Sequence, residues 1–362
     1  MSPPSEDRAD VEISVIIPSY NDGPLLARCL DSLRAQDHGL PWEVVVVLDG
    51  SRDGSRSMLE RGRGGAGGGP LDSQVEPGAW RDLPLVVVEL PENRGRSAAR
   101  NAALAAARGE WLLFLDADLR VGPDWVRRLR ACQPDPFVVA VGEMVYDNQP
   151  RGVGEMALLA ADPAAERRRR AGLKAHQRYL ERRGPWKFRD QPAMPPRYFY
   201  TCNSSVHHGL LAQAGPFDER LRGWGGEDID MGLRLGEKGG RLVYCREARA
   251  LHAQERSFAT HCANLERLGR EGLNHLVERH PELRRDLQLD RLLPAAEGGR
   301  GAGLLGLAWR LGLHRLLVRL EACGLPMNEP LYNLAVYLHY AGGYRDSRPW
   351  TADRVKDGQE QT

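Results

Sequence analysis

The chain of 362 residues has a nearly balanced charge, with 50 Lys and Arg against 49 Asp and Glu. A net charge of +1 excludes global electrostatic steering toward nucleic acid, so any charged partner must meet a local surface. The length suits one large or two ordinary domains, and a hydrophobic share of 42% is ordinary for a globular protein. No apolar run reaches the ~18 residues that a membrane span needs.

The cysteines and the N-terminus indicate the compartment. Six cysteines are scattered without a Cys-x-x-Cys pair, and the chain does not begin with an apolar signal segment. We therefore expect reduced thiols and a cytoplasmic protein. Residues 1–10 are polar and are predicted to be a loose N-terminus.

The first part of the chain alternates apolar strands with helices. We predict strands at residues 13–18, 43–48 and 85–90, a helix at 24–34, and an alanine-rich helix at 98–108 that Ser97 caps. Because these strands are continuously apolar, they should form a parallel sheet that is covered on both faces. The glycine-rich residues 62–78 follow no strand and open no helix, so we expect a flexible insertion there.

Two carboxylates follow the next strand. Residues 111–115 are apolar, and Asp116 and Asp118 come directly after them. Burying either carboxylate unpaired would cost several kcal/mol, so both should lie at the exposed carboxyl end of the strand, where open α/β sheets bind ligands. Hard oxygen ligands at such a point suit Mg²⁺ or Mn²⁺ carrying a substrate diphosphate. The alternative is a helix cap followed by a solvated turn.

The middle of the chain holds a basic segment and a further acidic motif. Residues 150–197 contain many arginines, which predict either a solvated helix face or a lobe that binds an anionic acceptor or an acidic membrane. A strand at 198–203 should deliver Asn203 to the site. Glu227 and Asp228 should begin a helix, whose dipole favours negative charge there. A last strand at 241–245 precedes His252.

After residue 261 the pattern becomes helical. Residues 304–320 alternate leucines with arginines and predict an amphipathic helix. We expect the segment 304–340 to make peripheral contact with the inner face of the membrane or to form a homodimer, and packing on the catalytic domain is the alternative.

Four separated motifs occur in one order. They are Asp49 after the second strand, the residues Asn-Arg-Gly-Arg-Ser-Ala-Ala-Arg-Asn at 93–101, Asp116-Ala117-Asp118, and Trp-Gly-Gly-Glu-Asp at 224–228. This order and spacing resembles the family 2 glycosyltransferases with the GT-A fold over about residues 11–255. The resemblance implies an α/β, Rossmann-like, mostly parallel sheet with flanking helices at 11–260, with 150–197 on the acceptor side. It leaves 261–362 as a helical C-terminal region.

The resemblance also implies roles for single residues. The donor would be a nucleotide-diphospho-sugar, most simply a UDP-sugar. Its base would contact Pro18, Tyr20 and Asp49, its ribose would contact Asp116, and Arg94 or Arg96 would lie near the base or the diphosphate. Asp118 and His252 would bind Mn²⁺ or Mg²⁺. The 224–228 stretch is similar to the acceptor-side motif of β1,4-galactosyltransferases and bacterial chondroitin polymerases. It would place Trp224 under the acceptor sugar, with Asn203 nearby, Glu227 on an acceptor hydroxyl and Asp228 as catalytic base.

One base opposite one leaving group implies a single displacement with inversion. The expected function is a metal-dependent transfer of a Gal, GalNAc or Glc type sugar to a hydroxyl of a glycan, lipid or natural product, with no nucleic acid involved. A degenerate GT-A fold that only binds nucleotide-sugars, membranes or partners is the first alternative. A nucleotidyltransferase is the second, although residues 19–23 lack the basic loop of such enzymes.

Overall fold

The computed structural model describes residues 11–146, 155–252, 257–293, 303–325 and 327–347, and the predicted loose N-terminus at 1–10 lies outside these ranges. The chain divides into two compact units. The first comprises Met1–Arg222 and Glu227–Glu255, and the second comprises Gly223–Gly226 and Arg256–Thr362. The sequence expectation set the boundary between residues 260 and 261, and it did not assign the short segment before Glu227 to the second unit.

The first unit is built on one mixed sheet, which has eight strands within the described residues. The strands are β1 (Ile13–Ser19), β2 (Trp42–Asp49), β3 (Leu85–Leu90), β4 (Trp111–Leu115), β5 (Leu119–Val121), β6 (Val138–Tyr146), β7 (Asn203–His207) and β8 (Arg241–His252). Their order is β3-β2-β1-β4-β7-β6-β8-β5. β3, β2, β1 and β4 are parallel, as are β6 and β8, whereas β7 runs antiparallel to both neighbours and β5 antiparallel to β8. The predicted α/β fold is confirmed.

Helices cover the sheet. They are α1 (Gly23–Arg34), α2 (Ser55–Gly62), α3 (Arg96–Ala106), α4 (Trp125–Ala131), α5 (Glu155–Leu159), α6 (Pro163–Gly172), α7 (Ala175–Arg183), α8 (His208–Ala214) and α9 (Gly226–Glu237). Side chains of β1 alternate between two apolar clusters, because successive strand residues point to opposite faces. Val15 packs in the cluster that contains Leu26 of α1, and Ile16 packs in the cluster that contains Ala103 of α3. Burial on both faces explains the continuously apolar strands.

Three local predictions were wrong. Ser97 was predicted to cap α3, but the helix begins at Arg96 and Gly95 is its N-cap. The backbone at this position has φ 89°, which glycine adopts without strain. The strand predicted at 198–203 begins only at Asn203. Not all six cysteines are reduced: Cys132, just after α4, and Cys245 of β8 form a disulfide with their Cα atoms 6.1 Å apart. The packing of α4 against β8 brings the two thiols together, which the scattered sequence spacing does not reveal.

The glycine-rich residues 62–78 are tied to α2. Asp72 accepts hydrogen bonds from the Gly68 and Gly69 amides and from the Ser57 hydroxyl. Arg61 Nε donates to the Val75 carbonyl at 2.9 Å. In the structure this segment is therefore a hydrogen-bonded loop.

An ion-pair network organises the basic segment. Arg169 is 3% exposed and pairs with Glu166 at 2.8 Å and with Glu181. Arg249 of β8 pairs with Glu143 at 2.8 Å and approaches Glu166 at 3.6 Å. Burial alone would raise the pKa of Glu166, but the arginines hold it at about 2. At least one arginine of this segment therefore joins α6 and α7 to the sheet and is not part of a solvated face.

The second unit is helical within the described residues. Its helices are α10 (Phe258–Arg267), which continues into a π-helical turn (Leu268–Gly272), α11 (Leu273–Arg279), α12 (Glu282–Asp286), α13 (Leu304–Arg310), α14 (Leu313–Ala322) and α15 (Glu329–Asp346). The predicted helical C-terminal region is confirmed. None of the helices in the described ranges is long and apolar enough to cross a membrane.

Candidate active site

The turn after β4 brings Asp118 to His252. The Leu119 amide donates to the Asp116 carbonyl at 3.1 Å, which closes a tight turn and starts β5 at once. β5 then pairs antiparallel with β8 in a register that sets Leu119 opposite His252. As a result Asp118 Oδ2 lies 3.1 Å from His252 Nε2. Two residues that are distant in the chain thus meet at the carboxyl end of the parallel strands.

This edge of the sheet is strongly acidic. Burial raises the pKa of Asp22, and the negative charge of Asp118 raises it further, with smaller contributions from Asp53 and Asp116. A divalent cation at this edge would relieve the repulsion that Asp22 experiences from Asp118. One carboxylate and one imidazole, together with diphosphate oxygens, form a donor set that Mn²⁺ accepts. Asp118 and His252 are therefore the residues that could hold such an ion.

Arg100 of α3 joins the acidic residues of two motifs. Its Nη1 lies 3.0 Å from Glu227 Oε1 and 3.8 Å from Asp228 Oδ1, and its Nη2 lies 3.6 Å from Asp116 Oδ1. The side chain is only 3% exposed. Burial would lower the pKa of Arg100, but Asp228, Glu227 and Asp116 raise it well above its ordinary value. The guanidinium is thus a permanent buried cation at the centre of the site.

The sequence prediction included Arg100 in the 93–101 motif but gave it no role. A signal was available, since Arg100 falls at helical spacing between Ser97 and Ala103 on the face of α3 that is buried. A charged side chain on a buried helix face must find a partner of opposite charge. An arginine in that position therefore predicts carboxylates facing it.

Asp228 has the most perturbed carboxylate of the site. Its side chain is 17% exposed, and its Oδ1 accepts a hydrogen bond of 2.6 Å from the Thr201 hydroxyl. The pKa of Asp228 is raised to about 7. Burial is the largest cause and the charge of Glu227 also raises the pKa, whereas Arg100 and the Thr201 hydroxyl lower it. A carboxylate with this pKa and partial access to solvent is able to accept a proton near neutral pH.

The helix that carries Asp228 is firmly held. Glu227 and Asp228 lie in the first turn of α9, as predicted, where the helix dipole favours negative charge. One turn later Asp230 pairs with Arg234 at 2.7 Å, with side chains 1% and 5% exposed. Arg234 also donates to the Ala214 carbonyl at 2.6 Å, which ties α9 to the end of α8. The position of Asp228 is therefore set by buried ion pairs.

The expected donor-side residues lie at the ends of neighbouring parallel strands. Pro18 is the second-last residue of β1, and Asp49 is the last residue of the neighbouring strand β2. Asp49 accepts hydrogen bonds from the Arg94 amide at 2.8 Å and the Gly95 amide at 2.9 Å, so it organises the loop before α3. Each carboxylate oxygen keeps a second acceptor position, which is compatible with the expected contact to a nucleotide base.

Three further donor-side residues are exposed. Tyr20 is 47% exposed just after β1. The Arg94 guanidinium pairs with Glu219 at 2.9 Å near the surface, and Arg96 is exposed as the first residue of α3. Their roles stay predictions.

Two acceptor-side expectations need correction. Asn203 is 1% exposed, its Oδ1 accepts from Trp125 Nε1 at 2.9 Å, and its Nδ2 donates to the carbonyls of Glu143 and Ala248. Because these three hydrogen bonds engage the whole amide, the Asn203 side chain links α4, β6 and β8 and is not available to an acceptor. Glu227 is 1% exposed and pairs with Arg100 at 3.0 Å, which argues against direct contact with an acceptor hydroxyl.

Trp224 belongs to the second unit. Its ring is half-buried and meets the His261 ring edge to face, with centroids 6.0 Å apart. Its expected contact with an acceptor sugar stays a prediction.

The chain is similar in sequence to known glycosyltransferases. Residues 14–184 match the model of the family described as "Glycosyl transferase family 2". The chain is 30% identical over 292 residues to the validoxylamine A glucosyltransferase of Streptomyces hygroscopicus subsp. jinggangensis, covering 75% of this chain and 61% of that protein. It is 29% identical over 276 residues to the uncharacterized glycosyltransferase YfnE of Bacillus subtilis, covering 68% and 66%. The chain thus spans less than two thirds of the length of these relatives.

Among solved structures, the chain is similar to the mannosyltransferase PcManGT from Pyrobaculum calidifontis in complex with GDP-Man and Mn²⁺. The TM-score is 0.58 at 21% sequence identity, covering 94% of this chain and 88% of that one. At this identity the likeness concerns the fold alone. Taken together, the matching family model, the glycosyltransferase relatives and the structural neighbour show the GT-A fold and support placing the chain in glycosyltransferase family 2.

Proposed function

We propose that the protein is a metal-dependent, inverting glycosyltransferase that moves a hexose from a nucleotide-diphospho-sugar to an acceptor hydroxyl. The observation that carries this proposal is the group of residues around Arg100. This cation lies within 4 Å of Asp116, which follows β4, and of Asp228, whose pKa is about 7. Residues suited to donor binding and to proton removal therefore share one site.

In this proposal Asp228 is the catalytic base. The acceptor oxygen attacks the anomeric carbon from the face opposite the diphosphate, and the new C–O bond forms as the old C–O bond to phosphate breaks. The acceptor proton passes to Asp228, and the bonding electron pair leaves with the nucleoside diphosphate. A single displacement of this kind inverts the anomeric configuration. A pKa near the working pH is the value at which a carboxylate is both ionised and basic enough to assist.

The remaining residues bind and orient. Asp116 would accept from the ribose hydroxyls, and Pro18, Tyr20 and Asp49 would hold the base, with Arg94 or Arg96 near the diphosphate. Asp118 and His252 would hold Mn²⁺ or Mg²⁺, which when bound neutralises the charge that develops on the leaving diphosphate. Arg100 and Glu227 position Asp228, and Trp224 is the candidate for stacking on an acceptor sugar. The relative named for glucosyl transfer favours a sugar of the Glc type among those considered.

The test is a thermal-shift panel of UDP-Glc, UDP-Gal, UDP-GalNAc and GDP-Man with Mn²⁺, followed by measurement of nucleoside diphosphate release. A ligand at 100 times its dissociation constant stabilises the folded state by about 2.7 kcal/mol, which a melting curve detects readily. Donor binding with diphosphate release supports the proposal. Binding without turnover supports the degenerate binding module, and pyrophosphate release from a nucleoside triphosphate and a sugar phosphate supports a nucleotidyltransferase.

We also propose that the second unit contacts an anionic membrane. Leu304, Leu307 and Leu311 are 85%, 50% and 75% exposed at helical spacing, and Arg310 and Arg315 are exposed beside them. Exposed leucines flanked by arginines suit an acidic lipid surface.

Co-sedimentation with phosphatidylglycerol vesicles tests this contact. Replacing both Leu304 and Leu307 with Gln should abolish binding, whereas the matched change Leu325→Gln, at another leucine that is 52% exposed, should preserve it. Unchanged vesicle binding by the double variant overturns the membrane contact. So does light scattering that shows a dimer for the wild type and a monomer for the double variant.

A further inference from the structure

Three ligand-type side chains meet inside the second unit. Glu266 lies on α10, His314 on α14 and His339 on α15, and one ligand atom from each lies within 4.8 Å of the others. His339 Nδ1 is 3.2 Å from Glu266 Oε2, and the imidazole rings of His314 and His339 are 4.9 Å apart, edge to face. The proposed glycosyl transfer makes no use of these residues.

The two histidines are buried, and one of them lacks hydrogen bonds. His314 is 2% exposed and His339 is 5% exposed. Within the described part of the chain, neither ring nitrogen of His314 has a hydrogen-bond partner. A buried polar group without a partner costs free energy, so such a side chain needs an explanation, and a bound ion is one of the few that apply.

Neighbouring side chains contact His314 and Glu266. The Trp309 ring stacks on His314 with centroids 3.9 Å apart and rings inclined by 23°. Arg270 pairs with Glu266 Oε1 at 2.8 Å and so leaves Oε2 directed toward His339. The ion pair with Arg270 orients the Glu266 carboxylate, as hydrogen-bond partners of metal ligands commonly do. The Arg270 pair also leaves the negative charge of Glu266 Oε2, the oxygen that faces His339, available to a cation.

We propose that Glu266, His314 and His339 form a binding site for a zinc-class divalent transition metal that joins α10, α14 and α15. Two imidazoles and one carboxylate are ligands that Zn²⁺ takes in tetrahedral sites, whereas Mg²⁺ prefers oxygen alone. Ligand atoms around tetrahedral Zn²⁺ lie roughly 3.4 Å apart, so the widest separation here must close by about 1.4 Å. Rotation of the side chains supplies that movement. The fourth position would be left to water.

The site is distinct from the ion expected at the glycosyltransferase centre. The latter rests on Asp118 and His252 of the first unit and on substrate phosphates. The metal in the second unit requires no nucleotide, so its binding can be measured in the absence of donor.

The experiment uses the full chain carrying Asp118→Asn, stripped with EDTA and desalted into buffer with excess Mg²⁺. ZnSO₄ is added, and retained zinc is counted by mass spectrometry, with affinity from a chromophoric chelator. We expect one zinc per chain, and a visible spectrum of four-coordinate Co²⁺ when cobalt replaces it. Adding Glu266→Gln or His339→Gln should remove the retained zinc and weaken affinity by at least about 100-fold, since loss of a residue that only hydrogen-bonds to a ligand already costs ~10–100-fold.

His275→Gln is the matched control, because His275 belongs to the same unit but lies outside the cluster, and it should keep one zinc per chain. Far-UV circular dichroism checks that each variant is folded, and the near-isosteric Glu266→Gln gives an answer even if a histidine variant does not fold. Absence of retained zinc in the Asp118→Asn chain overturns the proposal. Zinc retained equally by the Glu266→Gln, His339→Gln and control proteins also overturns it.

Discussion

The pH dependence of the reaction should move in opposite directions when the two neighbours of Asp228 are changed. The Thr201 hydroxyl, which is 1% exposed, donates a hydrogen bond of 2.6 Å to Asp228 and lowers its pKa, whereas the charge of Glu227 raises it. Thr201→Val removes the donor with little change of shape. Glu227→Gln removes the charge. If Asp228 is the base, the acidic limb of kcat/KM follows its pKa in the free enzyme.

The size of the shift follows from the hydrogen bond. A hydrogen bond to a charged group contributes ~1.5–3 kcal/mol, and a pKa unit corresponds to about 1.36 kcal/mol. Because the protonated acid keeps part of the interaction, Thr201→Val should raise the pKa of Asp228 by about one unit. The ionised fraction at pH 7 would then fall roughly fivefold, with almost no loss at pH 9. Glu227→Gln should move the limb to lower pH, because the negative charge that raises the pKa of Asp228 is then removed.

The assay is nucleoside diphosphate release over pH 5–9 at saturating Mn²⁺, with water or a hydroxyl acceptor as nucleophile. Both variants are compared with wild type at the same ion concentration, and circular dichroism confirms their folding. A limb that moves to higher pH for Thr201→Val and to lower pH for Glu227→Gln supports the reasoning. Limbs that stay in place, or that move the same way, refute the assignment of the titration to Asp228.

Two further predictions concern Asp118 and Asp228. Asp118→Ala should abolish Mn²⁺-dependent UDP binding while leaving the fold intact, because it removes the carboxylate that lies 3.1 Å from His252. Calorimetry with and without a chelator measures this binding, and an affinity equal to that of wild type contradicts the prediction. Asp228→Asn should stabilise the protein at pH 8. The folded-state pKa of Asp228 is raised to about 7, so its contribution to stability is present below its ordinary pKa and is lost as the pH rises through 7. Removing the charge should recover up to about 4 kcal/mol, a gain that urea titration should show at pH 8 and not at pH 4.

The strands that carry the donor side could be predicted because their pattern is unambiguous. β1, β2 and β4 are buried on both faces, so each appears as a continuous apolar run with a polar stop. The carboxyl ends of parallel strands meet at one edge, so the strand pattern alone is enough to place Asp49 and Asp116 at the same edge.

The rest of the site depends on pairings that are distant in sequence. The meeting of Asp118 with His252 requires the antiparallel register of β5 and β8, and no local pattern encodes it. Asn203 was misassigned because an amide after an apolar stretch looks the same whether it faces a ligand or the interior of a sheet. The buried position of Glu227 could not be predicted, because the sequence did not reveal that Arg100 lies 3.0 Å away.

The most direct test of the central claim is turnover by Asp228→Asn with donor affinity measured in parallel. The substitution keeps the shape and most hydrogen bonding but removes the basic oxygen, so donor binding by calorimetry should equal that of wild type. Turnover should fall by ~10²–10⁴-fold, the usual contribution of a positioned base. Turnover within a few-fold of wild type, at unchanged donor affinity, would contradict the assignment of Asp228 as base and, with it, the proposed single displacement.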